Sequence, residues 1–81
     1  MRLTPVINTL KTAKRYVKYD GNKPYIDRTV KALETFRDCS FPMYSEQRSY
    51  LVRCIRDISE FEFNPGHSDL NGKLLTLSLE L

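Results

Sequence analysis

Apolar residues recur at every third or fourth position through most of this chain and switch to every second position near its end. The clearest segment is Ser45 to Phe61. Tyr50, Leu51, Cys54, Ile55, Ile58 and Phe61 stack there along one side of a helix. Glu46, Ser49, Arg53, Arg56, Asp57 and Glu60 fall on the other side, where water solvates them. Arg53 with Asp57 and Arg56 with Glu60 are four residues apart and are expected to pair across a turn, with Ser45 as the N-cap.

Two earlier segments carry the same period. Thr4 to Tyr19 reads as a helix with Thr4 as N-cap, Pro5 in the first helical position and an apolar stripe of Val6, Leu10, Ala13 and Val17. It is expected to end near Asp20-Gly21, with Gly21 taking a left-handed cap conformation. Tyr25 to Asp38 reads as a second helix that buries Ile26, Val30, Leu33 and Phe36, with Thr29 and Ala32 beside them and an Asp27–Lys31 pair outside. Phe41, Met43 and Tyr44 of the next connection are expected to fold back on the core. Every proline and glycine falls at a helix start or in a connection, which supports this partition.

Beyond the turn signal Asn64-Pro65-Gly66, Leu75, Leu77, Leu79 and Leu81 alternate with Thr76, Ser78 and Glu80, as do Phe61 and Phe63 with Glu60 and Glu62. A short strand, or a hairpin with the phenylalanines, is the reading preferred here. A fourth helix, capped at Ser68 or Asp69 with Leu70, Leu74, Leu77 and Leu81 as its stripe, is the alternative, and it leaves Leu75 and Leu79 off that stripe. The fold expected is thus mainly α: three helices and a short C-terminal strand or hairpin.

Length narrows the function classes. Eighty-one residues, 41% hydrophobic and 28% charged, suit a single small domain (residues 1–81) with one modest core. The scaling of stability with size puts it at roughly 4–12 kcal/mol. No run of about 20 apolar residues is present to span a bilayer, and the start does not read as a signal peptide, so a cytoplasmic protein is expected. Cys39 and Cys54 are too few and too far apart for a disulfide framework or zinc site and are expected to be reduced. The single histidine, His67, adjoins Ser68 and Asp69. Neighbours in sequence do not converge as a catalytic triad does, and a solvated loop histidine is expected. No phosphate-binding, dinucleotide-binding or calcium-binding loop pattern occurs, and these features point away from catalysis, cofactors and metals.

Charge marks one candidate surface. Residues 1–31 hold eight Lys or Arg against two Asp, a net of +6; residues 32–81 hold five against eight carboxylates, a net of −3. Lys11, Lys14, Arg15, Lys18 and Lys23, interleaved with Tyr16 and Tyr19 and followed by Tyr25, form a basic strip on the first helix and just past it. Such a strip can dock on an acidic protein surface, or track a phosphate backbone with the tyrosines stacking on bases. Leu75, Leu77, Leu79 and Leu81 mark a second candidate, an apolar edge suited to self-association as a homodimer. The function expected is a small non-catalytic regulator, adaptor or inhibitor that binds another protein; the alternative is a basic nucleic-acid-binding module using the first helix.

Overall fold

In the computed structural model the chain is described over residues 3–39 and 44–81. Among these residues four α-helices form: α1 (Thr4–Tyr16), α2 (Lys23–Cys39), α3 (Ser45–Ser59) and α4 (Asp69–Glu80), with a 3-10 turn at Asp20–Asn22. Each helix packs on the next in chain order and α4 closes on α1, so the four surround one core. Leu10, Ala13, Ile26, Leu33, Ile55, Ile58 and Leu74 are wholly excluded from water there, as is Ile7, which lies beside the expected stripe of α1.

The α1–α2 and α3–α4 connections meet at one end of this bundle. Val17 pairs with Phe63 in a single antiparallel bridge, and both are buried. The Lys18 amide donates to the Glu62 carbonyl (2.9 Å) and the Asn64 amide to the Tyr16 carbonyl (2.8 Å). This pairing explains why α1 stops at Tyr16, three residues earlier than expected. Val17 turns extended (φ −66°, ψ 136°) and leaves the helix while keeping its place in the core. Gly21 therefore does not cap α1. The positive φ belongs to Gly66 (89°), in the turn where the His67 amide donates to the Asn64 carbonyl. Pro65 followed by a positive-φ Gly66 is the arrangement a type II turn requires.

Several local expectations give way to longer-range ones. Leu3 occupies the cap position of α1 and Thr4 lies inside the helix, while Tyr44 takes that place in α3, its amide donating to the Gln47 side chain (3.1 Å) instead of Ser45 capping. Tyr44 and Tyr50 are exposed rather than folded on the core, and Phe61 lies past the end of α3. The expectations for Phe41, Met43 and the Cys39 side chain fall outside the described residues; Cys54 is a free, buried thiol.

The C-terminal segment is helical, so the expected strand or hairpin is replaced by the fourth helix. Leu70 and Leu74 are buried and Leu77 and Leu81 pack against the core. The alternating leucines concealed this because Ser78, buried at 2% exposure, occupies an inward position; its hydroxyl donates to the Leu75 carbonyl (2.7 Å), which lets a polar group sit there. Asn71 fixes the helix in place. Its side-chain amide donates to the carbonyls of Ser59 (2.6 Å) and Phe61 (2.9 Å), supplying partners to the open end of α3. Asn71→Ala leaves both carbonyls without that donor and is expected to lower unfolding free energy by about 1–3 kcal/mol. Urea denaturation reads this as a lower midpoint at unchanged slope; a loss below about 0.5 kcal/mol, the scale of an ordinary surface change, would contradict the role given to Asn71.

Candidate functional site

The basic strip runs along α1 and on to the start of α2, but its lysines are paired with carboxylates at the surface. Lys14 bonds Asp27 of α2 (2.8 Å), Lys11 approaches Glu34 of α2 (3.6 Å), Lys18 bonds Glu62 beside the bridge (3.0 Å), and Lys23 bonds Asp20 (3.0 Å). Asp27 thus serves Lys14 rather than the expected Lys31. Tyr16 is not free for stacking on bases, because its ring lies flat on His67 (3.7 Å between centroids, 11° between planes). His67 is accordingly half-buried in an aromatic stack and not a solvated loop residue. Tyr19 remains exposed with the Lys18 ammonium 5.5 Å from its ring centre, and Arg15 lies 5.8 Å from the Tyr16 ring.

Once these pairs are made, the cations without a carboxylate within 4.0 Å are Arg15, Arg28, Lys31, Arg48, Arg53 and Arg56 among the described residues. Three of these six are on α3. Neither expected pair of that helix, Arg53–Asp57 or Arg56–Glu60, forms. Asp57 instead accepts from the Tyr25 hydroxyl of α2 (3.0 Å), and the Tyr25 ring meets Phe61 edge-on at 5.8 Å. Loss of water, then hydrogen bonding to Cys54 and Asp57, pushes the Tyr25 hydroxyl well above its ordinary 10. It therefore stays protonated as a structural donor.

Arg48, Arg53 and Arg56 border a groove of about 680 Å³ between α3 and α4, with Val52 and Leu75 as its apolar lining. Leu75 and Leu79 are 43% and 72% exposed on α4, whereas Leu77 and Leu81, grouped with them in the sequence, are partly buried against the core. The sequence reading missed this groove. The available signal was Val52, an apolar residue midway between Arg48 and Arg56 at four-residue steps, which the stripe of α3 did not absorb.

Among the described residues no three His, Cys, Asp or Glu side chains gather to hold a metal ion, and no helix is long and apolar enough to cross a membrane. Compared with protein-family models, curated proteins and solved structures, the chain matches none.

The Lys18–Glu62 pair lies exposed beside the bridge and adds a small increment of stability that acid removes. Hydrogen bonding to Lys18, with the Coulomb attraction of its ammonium, holds the Glu62 carboxyl below its ordinary 4.5. A carboxylate depressed on folding adds stability above that ordinary value, and the addition is lost as pH falls through the folded value. Wild type is thus expected to exceed Glu62→Gln in denaturation midpoint at neutral pH, with the gap closing below pH 4.5. A gap that stays constant from about pH 7 to pH 3 would contradict the pairing.

Proposed function

We propose that this protein is a small non-catalytic protein-binding module, a regulator, adaptor or inhibitor, that docks its partner on the outer side of α3 and α4. The observation that carries the reading is the exposure of Leu75 and Leu79 on a helix whose remaining leucines close the core. Leu75 lines a groove bordered by arginines, and Leu79 follows it one helical turn on. Arginine is among the residues that carry most binding energy in protein interfaces, and exposed leucines beside it add apolar area that a partner can cover. The titratable groups that meet in space, Tyr25 with Asp57 and Lys18 with Glu62, meet as structural pairs.

A nucleic-acid footprint on α1 has less support. Lys11, Lys14, Lys18 and Lys23 would each have to exchange a carboxylate for a phosphate, and Tyr16 would have to leave His67. Self-association through the leucines meets a limit of size. Two side chains one turn apart cover far less than the roughly 800 Å² per partner of a stable interface, so a partner must engage α3 as well.

Leu75→Gln with Leu79→Gln tests the surface, because glutamine keeps helix propensity near that of leucine. The double variant is expected to unfold within about 0.5 kcal/mol of wild type. Peptides selected from a random displayed library on the wild-type protein are expected to lose binding to the variant. Selected peptides that bind both proteins equally would contradict the assignment of this surface. Light scattering is expected to give a monomer near 9.5 kDa.

A further inference from the structure

Resting on that reading, we infer that the α3–α4 groove receives an acidic amphipathic helix of another protein, with carboxylates placed about four residues either side of an apolar anchor. Arg48, Val52 and Arg56 form one row along α3 at four-residue steps, with Leu75 lining the groove with them. Eight residues of helix separate the Cα positions of Arg48 and Arg56 by about 12 Å along the axis. A partner helix laid in the groove with an apolar side chain on Val52 and Leu75 therefore brings its residues one turn before and after the anchor to Arg56 and Arg48. Helix-in-groove recognition reads partners at this spacing.

Charge complementarity selects the occupant. Among the described residues Arg48, Arg53 and Arg56 pair with no carboxylate, whereas Lys11 and Lys14 of α1 and Lys18 just past it all do. The guanidinium fork matches a carboxylate with two parallel hydrogen bonds, which an ammonium cannot do. Two acids border the same groove, but Asp57 is bonded by Tyr25 from the α2 side and Glu60 lies past the last turn of α3. Their charges oppose a continuous phosphate backbone, while a helix can present carboxylates only where arginines stand. Val52 and Leu75 also give an apolar anchor a seat, which a phosphate backbone does not use.

The experiment is selection of a random 16-residue displayed peptide library on the wild-type protein, followed by titration of the enriched peptides against Arg48→Glu/Arg56→Glu and Arg48→Gln/Arg56→Gln. Both positions are exposed, and circular dichroism checks that the helices persist. The expected result is enrichment of acidic peptides with carboxylates three or four residues on each side of an apolar residue. Their affinity should fall about tenfold with the glutamines and further with the glutamates. The inference is overturned by no enrichment, by enriched peptides lacking acids, by acidic peptides indifferent to both arginine changes, or by a dimer of this chain that the changes dissociate. Non-acidic peptides that still require Leu75 and Leu79 would leave the protein-binding reading standing. Short single- or double-stranded nucleic acid bound as tightly at the same salt, with the same arginine dependence, would overturn both.

Discussion

The pairing of the α1–α2 connection with the α3–α4 connection is the constraint on which this structure depends. Val17 and Phe63 meet through two backbone hydrogen bonds and are buried beneath them. Joined there are the ends of α1 and α3 with the starts of α2 and α4, so one short contact links all four helices at that end. The Tyr16–His67 stack, the Lys18–Glu62 pair and the Tyr25–Asp57 hydrogen bond surround the same end. Lys18 and Glu62 are 44 residues apart in sequence, which makes this a long-range closure of a chain otherwise built from local helices.

That distance explains what could be read from the sequence. The first three helices were legible because their apolar stripes repeat at helical spacing and their connections hold proline and glycine. Their ends were not, because Val17 leaves α1 to meet a residue on another connection. The last segment was ambiguous for a local reason. Leucines at 75, 77, 79 and 81 fit a period of two, while 70, 74, 77 and 81 fit a helix. The helix persists because Asn71 reaches the end of α3 and Ser78 can be buried with its hydroxyl satisfied within its own helix. Neither contact has a signature in single-residue periodicity.

The candidate surface moved for the same reason. A basic strip read along one helix looks available, yet its lysines are answered by Glu34, Asp27 and Glu62 from other elements. Conversely, the arginines of α3 looked satisfied at four-residue spacing, yet Asp57 is taken by Tyr25. A neighbour four residues away competes with partners from other elements, so spacing alone does not decide which charges remain open. After folding, the guanidiniums still unanswered on α3 lie beside Val52 and Leu75, and positive charge meets open apolar surface there rather than on α1.

Hydrogen exchange of the backbone amides tests the dependence on the paired connections most directly. Lys18 and Asn64 lie in connections, where amides ordinarily exchange fast. Here they donate across the bridge, and their exchange is expected to be as slow as that of core amides such as Leu33 and Ile58. Fast exchange at Lys18 and Asn64 beside slow exchange in the helices would contradict the claim that this pairing holds the bundle together.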